Sequence, residues 1–256
     1  MGNDDNTKVI CLYVEGIKDG EKFYNIARAV SKKKPVVVLK GGLSERGQQA
    51  TISHTGSLAG KKEVYFGIFK QLGLIKADSL EEMFNVASLV EKGVKFNGRR
   101  VQIITNGGGY GIISTDNVVA SDNLEMAEFS DRTKGELRKI FSENVNIGNP
   151  LDLVADANTE SYRVAIDASI ADSNIDAVLV IVLYQTPMVT TDVVEVISEA
   201  HRKTQKPIIV VSTGSEFTEM LSNALEDTGV ITFPFPEDAI KAVDKLVWYE
   251  NKRKTL

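Results

Sequence analysis

The chain has 256 residues, 43% hydrophobic and 25% charged, with a net charge of −5. That is the balance of a soluble globular protein with room for one large or two ordinary domains. No basic block stands out and no apolar run nears the roughly 20 residues that cross a bilayer, so neither nucleic acid nor membrane is an expected partner.

The polar start MGNDDNTK lacks the apolar core of a secretory signal. The single cysteine, Cys11, excludes an internal disulfide and fits a reducing cytoplasm. Cys11 lies inside the run VICLYV and is expected to be a buried core thiol. KVICLYV (8–14) reads as a buried strand. EKFYNIARAVSK (21–32) places apolar residues at 23, 26, 27 and 30, the spacing of a helix face. PVVVLK (35–40) is a second strand. The polar segment GGLSERGQQATISHTGS follows, then helical patterns at about 59–72 and 79–92. Strand–helix–strand order marks a parallel sheet covered by helices.

The polar stretch GVKFNGRR (93–100) carries two glycines and reads as a boundary, dividing the chain into domains 1–96 and 97–256. The pattern then restarts. VQIITN (101–106) is a strand, GGGYG a turn and IISTDNVVAS a helix. LEMAEF is a short strand, DRTKGELRKIF a helix and NIGNPLDL a loop leading to a helix near 159–171. DAVLVIVL (176–183) and PIIVVS (207–212) are strands, each followed by a helix, near 190–204 and 215–227. VITFPF and a helix at 237–252 close the chain. The expected fold is α/β, with two flavodoxin-like parallel-sheet domains in tandem.

Each half holds a glycine-bearing turn before a helical stretch: SHTGSLAG (53–60) and TNGGGYG (105–111). A helix start offers unpaired N–H groups and partial positive charge, so it attracts phosphate, and glycines let the anion approach the backbone. GGGYG reads equally well as a plain tight turn. No GK[ST] follows it, and the spacing is not GxGxxG. His54 sits beside the first of these turns among small residues. It is either a hydrogen-bonded structural histidine or a nucleophile, since neutral imidazole is competent near pH 7. A phosphorylated imidazole needs its charge compensated, and a carboxylate on the other ring nitrogen would fix the tautomer. Glu15, at the end of the first strand, is the best candidate for that carboxylate; the alternative is a solvated loop acid.

KVICLYVEG, PVVVLKGG and SHTGSLAG, followed by TNGGGYGIISTDNV, GNPLDL and DAVLVIVLYQTP, resemble the NDP-forming acyl-CoA synthetases. This is the superfamily of succinyl-CoA synthetase and ADP-forming acetyl-CoA synthetase, and the resemblance runs through essentially the whole chain. It implies that His54 is the phosphorylated histidine and Glu15 its supporting acid. It implies a phosphate site built from Ser53, Thr55, Gly56 and Ser57 together with Asn106, Gly107, Gly108 and Gly109, at helix starts near 56–60 and 107–111 that converge. The implied reaction moves phosphoryl from an acyl phosphate to the histidine and on to ADP. CoA, ADP or ATP and phosphate are substrates of the complete enzyme rather than tightly bound cofactors.

The family also has a CoA-binding domain ahead of YVEG and an ATP-grasp domain, and this sequence resembles neither. The chain is therefore expected to be a piece of a longer enzyme or one partner of a split, oligomeric one. Magnesium would enter through the ATP-grasp partner, and no metal site is expected here. The loop YQTPM (184–188) falls where the family binds its organic acid. Tyr184 and Pro187 are bulkier than the glycine pair of succinyl-CoA synthetases, which points away from succinate. Asn106 and Gln185 are polar candidates for an acyl pocket, unless the loop is purely structural. His201, near a helix end, reads as solvated, and the TFPF stretch reads as edge packing. The rival function is a non-catalytic sensor or regulatory domain of the kind attached to some protein acetyltransferases, or a docking subunit.

Overall fold

The computed structural model describes residues 1–55 and 60–255. They form two compact units, Met1–Gly93 with Trp248–Leu256, and Val94–Val247.

The first unit holds a parallel sheet of β1 (Ile10–Val14), β2 (Val36–Lys40) and β3 (Ile75–Ala77), in that order. Its helices are α1 (Gly20–Ser31), α2 (Glu45–Thr55), α3 (Lys62–Leu72) and α4 (Leu80–Glu91). Local chemistry sets their ends. The Asp19 side chain caps α1 by accepting from Lys22 N, and Ser79 caps α4 by accepting from Glu82 N. Gly73 closes α3 at φ 67, a left-handed turn that glycine adopts without a Cβ clash. Val14, Val36 and Val38 pack with Tyr65, Phe69, Leu72 and Leu74 as the core.

Three features depart from the sequence reading. Strand β3 and helix α2 lie in stretches read as having no regular structure. Helix α2 has few apolar residues to show a period; Thr51 is buried, while Ile52, Ser53 and His54 are exposed. Its start is marked by Ser44, whose Oγ accepts from Gly47 N at 3.1 Å. Third, Cys11 is exposed, not a core thiol. Strand β1 is an edge strand, and alternation turns Cys11 and Tyr13 to the open face while Val14 is buried.

The second unit runs β4 (Arg100–Thr105), α5 (Gly108–Ala120), β5 (Glu125–Met126), α6 (Asp131–Ile140), β6 (Leu151–Asp152), α7 (Thr159–Ala171), β7 (Ala177–Ile181), α8 (Val193–Lys203), β8 (Ile208–Val211), α9 (Glu216–Asp227) and β9 (Ile231–Phe233). Helix α10 (Pro236–Arg253) follows. The parallel sheet has the order β5-β4-β7-β8-β9, and β6 adds to β4. Strands β7 and β8 are buried along their whole length, as central strands covered on both faces must be. The path steps one way from β4 to β5 and the other way to β7. The carboxyl ends of β4 and β7 therefore flank the switch point where open α/β sheets leave a crevice.

Two carboxylates tie this unit together. The Arg100 guanidinium and the backbone N–H groups of Arg99 and Arg100 hold Asp176 below the usual carboxylate range. Burial works to raise Asp172, but hydrogen bonds from Asn174, Thr133 and Ser130 outweigh it and hold it at about 2. Both values are depressed by folding. Their contribution is complete above the unfolded carboxylate pKa of about 3.9 and is lost as pH falls through the folded values. The melting temperature of the chain should therefore drop steeply between about pH 4 and pH 2. Asp172→Asn should flatten that dependence, and a wild-type melting temperature constant over this range would contradict the assignment.

Candidate active site

In a parallel sheet the residues just past the strand ends share one edge. Val14 pairs with Lys40 in register, so the main chain leaving β1 delivers Glu15 beside the end of β2. The last turn of α2 delivers His54 to the same place. His54 Nδ1 lies 3.2 Å from Glu15 Oε2, across 39 positions of sequence. The imidazole side chain is 75% exposed and the carboxylate 23%. With Glu15 ionised, Nδ1 is the protonated nitrogen and donates to it, which leaves the Nε2 lone pair free.

The setting differs from the sequence reading in one respect. His54 lies in the C-terminal turn of a helix, not at a helix mouth. That end of the dipole favours a cation and offers nothing to an anion. The next helix, α3, begins only at Lys62, with no side-chain cap at Lys61. Ser53 donates its hydroxyl to Gln49 O at 3.0 Å, a bond within α2. Thr55 ends that helix, and Gly56 and Ser57 lie outside the described residues.

Positive charge at this edge comes from a residue the sequence reading passed over. Lys40 is 4% exposed, and its Nζ donates to the carbonyls of Glu15, at 2.8 Å, and Gly41. A lysine ending an apolar strand is the sequence signal that marks it. Within this unit, a cavity of about 1010 Å³ runs along the β1 edge between Leu12, Phe23, Ile26 and Val30, with Glu15 and His54 in its lining.

In the second unit, Asn106, Gly107, Gly108 and Gly109 sit at the switch point. Gly107 precedes α5 without a side-chain cap, and its N–H goes to Thr105 Oγ1 at 3.0 Å. Gly108 and Gly109 open the helix, where backbone N–H groups have no intrahelical acceptor. A Cβ on Gly108 would come 3.1 Å from the Asp152 carboxylate, whereas one on Gly109 would meet open space. Asp152, also unforeseen, thus faces the positive end of α5.

Asn106 is 3% exposed, and its side-chain amide is taken up by protein partners. Its Nδ2 donates to Leu183 O at 3.0 Å and Thr186 Oγ1 at 2.9 Å, and its Oδ1 accepts from Leu183 N at 2.9 Å. It clamps the end of β4 to the loop after β7. Gln185 is exposed and donates to Thr213 O at 2.7 Å. Tyr184 packs edge-on against Phe217, and burial pushes its phenol pKa up. His201 is half-buried in the last turn of α8, with Nε2 facing Gly229, rather than solvated.

Parallel α/β units with a flavodoxin-type switch point, and an imidazole–carboxylate pair at a strand end, define the class. Residues 1–90 match the succinyl-CoA ligase like flavodoxin domain, and residues 101–253 match the Ligase-CoA domain. The chain belongs to the NDP-forming acyl-CoA synthetase superfamily. It is 35% identical to subunit alpha of ADP-forming acetate–CoA ligase II of Pyrococcus furiosus, over 96% of this chain and 54% of that protein. It is 36% identical to subunit alpha of that organism's isoform I, over 98% of this chain and 55% of that protein. A solved structure, the dinucleotide forming acetyl-coenzyme A synthetase 1 of Candidatus Korarchaeum cryptofilum in complex with phosphate and ADP, superimposes with a TM-score of 0.88. That match is at 31% identity and covers 99% of this chain and 55% of that one. The chain thus spans about half the length of these relatives.

Because Asn106 is a clamp, Asn106→Ala should leave buried partners unpaired and lower the unfolding free energy by about 1–3 kcal/mol. Gln185→Ala, at the surface, should stay within about 0.5 kcal/mol of wild type. Chemical denaturation of both variants checks this, and an Asn106→Ala variant as stable as wild type would contradict the clamp.

Proposed function

We propose that this chain is the CoA-ligase portion of an ADP-forming acyl-CoA synthetase and that it carries phosphoryl groups on Nε2 of His54. The observation that carries the reading is the 3.2 Å contact between His54 Nδ1 and Glu15 Oε2. It supplies an outward nucleophilic nitrogen and a carboxylate for the positive charge that forms on the ring. Nε2 attacks the phosphorus of an acyl phosphate, the N–P bond forms, and the P–O bond to the acyl group breaks. The carboxylate leaves with the bonding pair, and Glu15 stabilises the imidazolium through Nδ1–H. Attack of an ADP phosphate oxygen on the same phosphorus returns the ring to neutral and makes ATP.

The family membership supports this reading, as does the likeness to the alpha subunits of two ADP-forming acetate–CoA ligases. A CoA-binding domain and an ATP-grasp domain or subunit are the proposed partners, with domains 1–96 and 97–256 contributing the histidine and the α5 turn. The carboxylate released from the acyl phosphate is proposed to be a small organic acid. Magnesium is proposed to enter with the nucleotide on the ATP-grasp partner. No described helix is long and apolar enough to cross a membrane.

Mixed with those partners, acetyl phosphate and ADP, the chain should acquire an acid-labile, base-stable phosphoryl group and yield ATP. His54→Ala should abolish both. Glu15→Gln should keep the fold and slow transfer by about 100-fold, as expected for loss of a charged orienting partner. Undiminished ATP formation by His54→Ala would overturn the reading and favour the sensor role.

A further inference from the structure

Lys40 and Asp172 are the buried charged residues among those described. Asp172 is spent on hydrogen bonds that hold the second unit together, but Lys40 stands at the edge where His54 and Glu15 meet. Its ammonium donates to the carbonyls of Glu15 and Gly41 and lies 4.8 Å from the centre of the Tyr65 ring. These direct partners are neutral: two carbonyls and a π face. Desolvating an ammonium for such partners is unfavourable, and a methionine would fill the same space without that cost. Packing alone therefore does not call for the charge.

The proposed chemistry does call for one. A phosphoryl group on the imidazole brings close to two negative charges next to the Glu15 carboxylate. The C-terminal turn of α2, which carries His54, adds the unfavourable end of a helix dipole. A fixed cation, shielded from water and bonded to the Glu15 main chain, opposes both effects.

The geometry points to Lys40 as a positioning residue for the Glu15–His54 pair. Its ammonium fixes the backbone that carries the Glu15 carboxylate and holds a positive charge beside the pair while phosphoryl sits on Nε2. This inference rests on the reading of His54 as the phosphoryl carrier. The titratable groups that face Lys40 are Glu15 from β1 and Tyr65 from α3, with Tyr13 beside Gly41. Burial lowers the lysine's affinity for its proton, and the Glu15 charge partly restores it. Loss of that proton at alkaline pH releases the pair.

The test uses the enzyme assembled with its partners and two variants, Lys40→Met and Lys40→Arg. Lys40→Met should lower kcat by about 30-fold or more while KM for the acyl phosphate changes by less than about 3-fold, the split expected when charge compensation and not binding is lost. Lys40→Arg should recover most of kcat. It should also erase the alkaline decline of the wild-type profile, because a guanidinium does not deprotonate there.

Nitrogen-15 NMR of the imidazole in the unphosphorylated chain gives a readout that needs no turnover. Wild type and Lys40→Arg should show the Nδ1–H form, and Lys40→Met should show a mixture. Unchanged kcat in Lys40→Met, or the same alkaline limb in wild type and Lys40→Arg, would overturn the role of Lys40 while leaving the phosphohistidine intact. If wild type forms no phosphohistidine, it is the reading of His54 that fails, and the tautomer ratio in Lys40→Met then decides whether Lys40 positions the pair.

Discussion

The contact between one carboxylate oxygen of Glu15 and Nδ1 of His54 is the interaction on which the proposed function of this chain turns. Neither residue is chemically unusual by itself. Glu15 follows an edge strand, and His54 is an exposed residue on a polar helix. The parallel sheet gives them a meeting place, because successive strands end on one edge and the connecting segments return to it. Register fixes the detail: Val14 opposite Lys40 sets the backbone from which Glu15 projects. A slip of one residue along β1 would send the carboxylate to the other face and leave the imidazole without a partner.

The second unit applies the same geometry differently. Its switch point lies between the ends of β4 and β7, but the side chains there are largely bonded to one another. Asn106 clamps the β7 loop, Thr105 receives the Gly107 N–H, and Asp152 faces the start of α5. What this leaves for an anion is backbone: the N–H groups of Gly108 and Gly109 at the head of a helix. Close packing demands glycine most at 107, where a Cβ would run into the Leu183 side chain, while one at 109 would meet open space.

The longer strands are legible in sequence because their signals are local: runs such as VVVLK and AVLVI admit few other readings. Strand β3, of three residues, and β6, of two inside the stretch NIGNPLDL read as a loop, are too short to show a pattern. Helix α2 was hidden because an exposed helix buries too few residues to show a period. Cys11 was misjudged because composition does not tell an edge strand from a central one. His54 stands out as a histidine beside a glycine-bearing turn and Glu15 as an acid at a strand end, but 39 residues separate them and no spacing rule connects them, so the sequence offers the pairing only as one of two alternatives. Asn106 was placed correctly at the turn but given a ligand's role; its three hydrogen bonds to the β7 loop depend on which strands are neighbours, and that is a property of topology. Lys40 was passed over for a similar reason. A strand-terminal lysine is ordinarily solvated, and only the assembled edge closes over this one.

Only one ring nitrogen of His54 is open to phosphoryl in this arrangement. If Nδ1–H is held by Glu15, phosphoryl must reside on Nε2. Phosphorus–nitrogen correlation NMR on the chain labelled with nitrogen-15 histidine and phosphorylated in the assembled enzyme distinguishes the two positions directly. The expected result is a single phosphohistidine at His54, with phosphorus coupled to Nε2 and Nδ1 still protonated. Coupling to Nδ1, which would require the Glu15 contact to be broken, or phosphoryl on any residue other than His54, would contradict it.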